Sequence, residues 1–237
     1  MRRIALLTDF GTRDPYVASM KGVIASRTDA PVVDLSHEIA PQDIFGAAWF
    51  LRTVERWWPA GTIFVAVVDP GVGTTRRILA AERNDKVFLA PDNGLLTFVP
   101  SDIIRSVEDE ALFLPGGSAT FHGRDRFAPV AAALANGMAI DRLGPLVRDV
   151  ARLDYTPGSI VAIDHFGNAI TDIEPPPGRF ALRAGERTID RLCRTYEEGS
   201  DEPFLIVGSS GTIEISVRNG SAAVALGLRR GDRVAIC

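Results

Sequence analysis

TIFVAVVDPGVGTTRR, residues 62–77, sets a strand, a tight turn and a charged return side by side. Thr62 to Val68 is almost continuously apolar, the pattern of a central strand covered on both faces, because a strand with one wet face would alternate. Asp69 then meets Pro70-Gly71-Val72-Gly73 at the strand's end, where α/β proteins place chemistry or ligand contacts. Two readings follow: a glycine-rich loop that cradles phosphate, or a carboxylate held at a strand end beside a returning guanidinium.

The flanking sequence extends the first element into a fold. Ile4–Thr8 is a short apolar run, and Pro15–Arg27 carries helical spacing at Val17, Met20, Val23 and Ile24. Pro31–Leu35 reads as a strand, and Asp43–Trp57 reads as a helix with Asp43 as its N-cap. This alternation predicts an α/β domain with a mostly parallel sheet between helices. Ile78–Ala81 and Val87–Ala90 are short strands about an Asn84-Asp85 turn, and Phe127–Asn136 is an Ala-rich helix ended by Gly137.

Beyond Asp154–Gly158 no strong helical period continues. Strand-like runs follow at 159–163, 169–173, 180–182, 204–207, 212–217 and 233–237, broken by turns such as Pro175-Pro176-Pro177-Gly178 and Asn219-Gly220. The expectation is two domains, an α/β domain over 1–155 and a small all-β domain over 156–237.

Composition narrows the function classes. The net charge is −4, and the 26 basic residues, all arginine except Lys21 and Lys86, are scattered rather than gathered into the stripe that nucleic-acid binding needs. No stretch approaches the ~20 apolar residues of a membrane span, and the Ile4–Leu7 run is too short for a secretory core. Cys193 and Cys237 show neither metal nor redox spacing. A cytoplasmic protein with no nucleic-acid or membrane partner is expected.

The phosphate reading fails on its motif. The loop at 71–76 lacks the spacing and lysine of a Walker loop and the third glycine of a dinucleotide fingerprint. Asp9-Phe10-Gly11 has no companion kinase motifs. His37-Glu38 is followed by Pro41 and no second histidine, so no zinc site is expected and the segment reads as structural. His122 differs, because it lies in the polar loop Ala119–Asp125 that feeds a helix.

Seven motifs now stand in series: Leu7-Thr8-Asp9-Phe10-Gly11, Asp14-Pro15-Tyr16-Val17, Lys21-Gly22, Asp34-Leu35-Ser36-His37-Glu38-Ile39, Val68-Asp69-Pro70-Gly71-Val72-Gly73-Thr74, Ala90-Pro91-Asp92-Asn93-Gly94-Leu95-Leu96 and Phe166-Gly167-Asn168. Together they resemble the S-adenosyl-L-methionine hydroxide adenosyltransferase family, a relative of the fluorinases and chlorinases. The resemblance implies an α/β domain followed by a β domain, and a homotrimer whose substrate lies between one subunit's N-terminal domain and its neighbour's C-terminal domain. S-adenosyl-L-methionine is then the substrate, hydrolysed to adenosine and methionine, and no cofactor or metal is expected.

The same resemblance implies a catalytic set of Asp69, Arg76 and His122, in which Asp69 and His122 hold or deprotonate water and Arg76 fixes the carboxylate. Whether His122 takes the proton or only orders the water is left open. An ordinary ion pair that steadies a turn is the plain alternative for Asp69 and Arg76. Implied substrate contacts are Asp9 for the ribose, Thr120 and Phe121 beside His122, Asp164 for the ammonium, and Phe166, Asn168 and Tyr196 for adenine. Ser209 and Ser210 fall where the family binds the amino-acid end, with Ser210 in place of a fluorinase arginine. Two rivals remain, halide transfer giving a 5′-halo-adenosine and a module that binds the ligand without turnover. Halide users depart from the Asp-Arg-His set and fluorinases insert residues after the loop, whereas here Pro91 follows Arg77 by fourteen positions.

Overall fold

A computed structural model describes residues 2–101 and 103–237. The chain divides into two compact units, Met1–Leu153 and Asp154–Cys237.

The first unit contains strands β1 (Arg3–Thr8), β2 (Val32–Ser36), β3 (Thr62–Val67), β4 (Ile78–Arg83), β5 (Lys86–Pro91) and β6 (Ile103–Ser106), with helices α1 (Tyr16–Ala25), α2 (Ile44–Val54) and α3 (Ala128–Ala135). They form one sheet in the order β2-β1-β3-β5-β4-β6. β1, β2, β3 and β5 run parallel, while β4 pairs antiparallel with β5 and β6. The mostly parallel sheet matches the sequence expectation.

Every residue of β3 is buried, and its alternation shows why. Ile63, Val65 and Val67 enter a core with Met20, Ile24, Phe127 and Val130, whereas Phe64, Ala66 and Val68 enter a second core with Ala47 and Leu51. Successive strand side chains point to opposite faces, so α1 and α3 cover one side and α2 the other. Phe64 stacks on Phe88 of the adjacent strand, centroids 4.8 Å apart.

Local chemistry places the ends. Asp43 caps α2, its carboxylate accepting from Gly46 N at 2.9 Å. The helix expected to reach Trp57 stops at Val54 and tightens into a 3-10 turn over Glu55–Trp57, ahead of Pro59. Asn84 and Asp85 both take positive φ, 50° and 56°, the backbone of a two-residue hairpin turn between β4 and β5.

One departure lies directly beside the functional loop. The helix expected from Phe127 is preceded by a π-helical turn, Gly123–Phe127, that runs into α3. Pro129 has no N–H to offer the carbonyl of Asp125, which accepts from Leu114 N at 2.8 Å instead. Such widened turns gather at functional sites, and this one begins immediately after His122.

The second unit contains β7 (Ile160–Ile163), β8 (Ala169–Thr171), β9 (Leu182–Ala184), β10 (Arg187–Ile189), β11 (Leu192–Cys193), β12 (Phe204–Val207), β13 (Ile213–Ser216) and β14 (Val234–Ile236). Its sheets are ordered β11-β12-β13-β8-β7 and β10-β9-β14 around a core that includes Ile160, Leu182, Leu205, Ile213, Ile215 and Val234. The strand character agrees with expectation. It is joined by one short helix, α4 (Ala222–Leu226), capped by Ser221. Five residues are too few to show a helical period in the sequence.

Candidate active site

β3 lies between β1 and β5, and the strand's rigidity is passed on to Asp69. The carbonyl of Val68 accepts from Asn93 Nδ2 at 2.9 Å, which locks the strand end to the Pro91–Gly94 turn. Two turns then reverse the chain: Val72 N donates to Asp69 O at 3.2 Å, and Thr74 N donates to Gly71 O at 3.2 Å. The reversal delivers Arg76 back to the acid. Arg76 Nε donates to Asp69 Oδ1 at 2.8 Å, and Arg76 Nη2 donates to Oδ2. With side chains only 9% and 4% exposed, this is a buried, two-point pair rather than a surface ion pair.

Arg77 is directed elsewhere, to Asp92 Oδ2 at 2.8 Å and Asp149 Oδ1 at 3.0 Å. Arg76, seven residues after Asp69, is thus the guanidinium that reaches it.

Gly73 has φ +81°, and a Cβ there would lie 2.6 Å from the carbonyl oxygen of Ala119. Ala119 opens the loop that carries His122, so the missing side chain lets the two loops close on each other. His122 Nδ1 sits 2.9 Å from Arg76 Nη2. A guanidinium has only donors, so Nδ1 is the acceptor and the neutral ring carries its proton on Nε2. Burial, with help from Arg126 and Arg76, pushes the His122 pKa below the ordinary histidine range, while Asp69 and Asp125 pull the other way.

The wall around this group is aromatic. A cleft of about 460 Å³ is lined by Phe10, Tyr16, Asp69, Thr120, Phe121 and His122, among others. Phe10, Tyr16 and Phe121 pack edge to face in a mutual triangle, centroids 5.3 to 5.9 Å apart. Thr120 and Phe121 thus line the same cleft as Asp69 and His122. Phe10 and Tyr16 were not singled out, although both lie within the quoted motifs. Asp9 follows β1 and accepts from Gln42 N at 2.8 Å, and its neighbour Phe10 forms the cleft wall. His37 is buried, its Nδ1 2.8 Å from Thr8 Oγ1 and its Nε2 3.1 Å from Asp34 Oδ1, which agrees with a structural part.

The second unit has its own cleft of about 700 Å³, lined by residues that include Asp164, Phe166, Asn168, Tyr196, Ser209 and Glu214. Asp164 shapes the β7–β8 loop: Oδ1 accepts from Phe166 N at 2.9 Å and Asn168 N at 2.8 Å, and Oδ2 accepts from Asn168 Nδ2 at 2.8 Å. Phe166 is 76% exposed and Tyr196 49% exposed, so both present ring surface to the cleft rather than to the core. Ser209 is in the wall. Ser210 pairs with Thr212 Oγ1 at 3.0 Å and is not in the wall. Glu214 was not anticipated, since in the sequence it is one polar residue among the apolar alternation of a strand.

A sheet that places a carboxylate and an imidazole in the wall of an aromatic cleft with a guanidinium bonded to both, followed by a strand unit with its own aromatic and acidic cleft, defines a two-domain enzyme for a small molecule. The chain belongs to the SAM hydroxide adenosyltransferase family: residues 4–144 match the family's N-terminal domain and residues 158–235 its C-terminal domain. It is 42% identical to an (R)-S-adenosyl-L-methionine hydrolase of Thermus thermophilus, over 98% of each chain. It is 35% identical to the protein of the same name from Salinispora tropica, over 98% of this chain and 97% of that one. A crystal structure of a conserved Thermotoga maritima protein superposes with a TM-score of 0.91 at 32% identity, covering 99% of this chain and 100% of the other. Fluorinases are more distant, the one from Actinopolyspora mzabensis being 29% identical over 72% of this chain and 71% of its own.

Two measurements test the geometry. Gly73→Ala should lose at least about 1–2 kcal/mol of stability, from its left-handed backbone alone, whereas Gly71→Ala, whose Cβ would meet its nearest neighbour at 3.6 Å, should melt close to the wild type. Equal denaturation midpoints for the two variants would contradict the close approach of the loops. In an NMR titration of His122, Arg76→Gln should raise the ring's pKa, because a nearby cation is lost, and Asp69→Asn should lower it further. Shifts of opposite sign would refute the assigned contacts.

Proposed function

We propose that the protein hydrolyses S-adenosyl-L-methionine to adenosine and L-methionine by attack of water on C5′. The observation that carries this reading is the sharing of Arg76 between Asp69 and His122 in the wall of the aromatic cleft. Relatives matching over nearly the whole chain bear the corresponding hydrolase name.

The chemistry asks little of the protein beyond placement. The sulfonium is already an activated leaving group: an O–C5′ bond forms as the C5′–S bond breaks, and its electron pair neutralises the sulfur of methionine. No cofactor is required for that step. Water is a poor nucleophile, so a group that removes its proton contributes about 10²–10⁴-fold, and orientation and desolvation supply more.

The tautomer divides the roles. His122 has its Nδ1 lone pair engaged by Arg76, so it offers Nε2–H as a donor and orients the water. Asp69 is the proton acceptor, using lone pairs left free by the two guanidinium bonds. Arg76 steadies the carboxylate and the developing hydroxide charge. The proton released passes from Asp69 to solvent after the products separate.

Recognition is assigned as follows. Asp9 takes the ribose hydroxyls, Thr120 and Phe121 line the reacting centre, and Asp164 takes the ammonium through the acceptor capacity left after its loop contacts. Phe166, Asn168 and Tyr196 hold adenine, with Ser209 in the cleft wall, and Ser210 next to it outside the wall, toward the amino-acid carboxylate. Assembly as a homotrimer with composite sites between subunits is part of the same proposal and rests on the family resemblance. A cytoplasmic location is part of the same proposal; among the described residues no helix is long and apolar enough to cross a membrane.

Turnover of S-adenosyl-L-methionine in oxygen-labelled water, with and without chloride, should give adenosine labelled at the 5′-oxygen together with methionine. Formation of 5′-chloroadenosine would replace this reading with halide transfer, and tight binding without product would leave a binding module. Asp69→Asn should lower kcat by about 10²–10⁴-fold with KM changed far less. An unchanged kcat would remove Asp69 from the mechanism.

A further inference from the structure

Glu214 lies in the cleft of the second unit, yet nothing in the proposed reaction accounts for it. It stands on β13 between the core residues Ile213 and Ile215 and is 6% exposed. A carboxyl group is costly to hide without partners, and its two oxygens are accounted for differently. Oε2 accepts from the Tyr196 hydroxyl at 3.0 Å. Oε1 lies against Gly208, where an added Cβ would come within 1.6 Å of it. The absent side chain at 208 is therefore the slot in which the carboxyl sits.

Tyr196 needs a tether. It begins a three-residue 3-10 turn, Tyr196–Glu198, between β11 and β12, and its ring is half exposed. One turn of helix with an exposed ring does not fix the ring's angle by packing. The bond to Glu214 ties the ring's tip to the sheet instead. Burial, then the neighbouring Asp164, raises Glu214 above the usual carboxylate range, against the pull of the Tyr196 bond. Burial and the charge of Glu214 push Tyr196 up to about 12, so the phenol keeps its proton and remains the donor.

We infer that Glu214, seated in the Gly208 slot, is a positioning residue that holds the Tyr196 ring as a fixed wall for the adenine of the substrate. The inference rests on the proposed function, because it needs adenine in this cleft. It adds a carboxyl group that never touches the reacting atoms and that sets affinity through another side chain.

The test is adenosine binding to the full chain by calorimetry, with steady-state kinetics on S-adenosyl-L-methionine and thermal unfolding as a folding check. Tyr196→Phe and Glu214→Leu should each weaken adenosine by about 3–10-fold, the worth of one hydrogen bond, and the double variant should be no weaker than either single one. Glu214→Gln, whose amide oxygen still accepts the hydroxyl, should stay within about twofold of the wild type. Gly208→Ala, which closes the slot, should match Glu214→Leu and form the same non-additive cycle with Tyr196→Phe, so the inference stays testable if Glu214→Leu does not fold. The losses should appear in KM, with kcat within about twofold. Factors that multiply in the double variants, or a Glu214→Gln as weak as Glu214→Leu, would overturn the inference, the latter by making the charge itself a ligand partner. A wild type that does not bind adenosine would remove the proposed substrate and the inference together, whereas multiplying factors in a binding-competent protein would remove only the inference.

Discussion

The two-point bond between Arg76 and Asp69 is the constraint on which the rest of the first unit depends. Burying two opposite charges gains little stability, because each ion loses several kcal/mol of hydration that the pairing only offsets. A turn that needed only to be steady would be served as well by apolar packing. The pair nevertheless sits at the end of the central strand of a six-stranded sheet, the position in the unit least free to move. The strand aims the carboxylate, the reversal at Gly71–Thr74 aims the guanidinium, and the Gly73 approach to Ala119 brings the imidazole loop to both. Removing the carboxylate or the guanidinium would leave the other charge buried without its partner.

How far this was legible in the sequence follows from how local each feature is. β3 announced itself because a strand buried on both faces leaves no polar alternation, and the Asp43 cap and the Asn84-Asp85 hairpin are decided by adjacent residues. Asp69 and Arg76 are also a local pair, joined across one turn, so their spacing could be read directly and Arg77 set aside. His122 came from its loop and from resemblance, but its tautomer could not, since that depends on a bond across 46 positions. The π-helical turn at Gly123–Phe127 stayed hidden because a proline at position 129 also suits the first turn of an ordinary helix. Glu214 was the least visible. Its isolation on an apolar strand would suit a solvent-facing position, and only Gly208 and Tyr196, brought together by the β12–β13 pairing and the turn before it, make it a buried acid.

The two units divide the work by charge. The first lines a cleft walled by rings with Asp69, His122 and Arg124 and holds Arg76 against the first two, so its charges are mixed rather than net negative. The second places Asp164 and Glu214 in one cleft with exposed aromatic surface, a setting that favours a cationic ligand with a flat ring. Asp164 meets its own loop through three hydrogen bonds and so keeps its charge compensated before any ligand arrives. Glu214 accepts from the Tyr196 hydroxyl, and burial followed by Asp164 raises it above the usual carboxylate range.

The residue at 76 also explains why the histidine is a donor. Lysine would supply the same charge from a single nitrogen, and that nitrogen would have to choose among Oδ1, Oδ2 and Nδ1. The guanidinium serves all three, Nε toward Oδ1 and Nη2 toward both Oδ2 and Nδ1. Because that contact consumes the lone pair on Nδ1, protonating His122 there would require it to abandon Arg76 and bring a second cation against a buried one. The positive guanidinium therefore does two things at once: it anchors the Asp69 carboxylate, and it disfavours a charged imidazole whose N–H is turned away from the pair. Of the two groups that share Arg76, Asp69 is the one left with lone pairs to give.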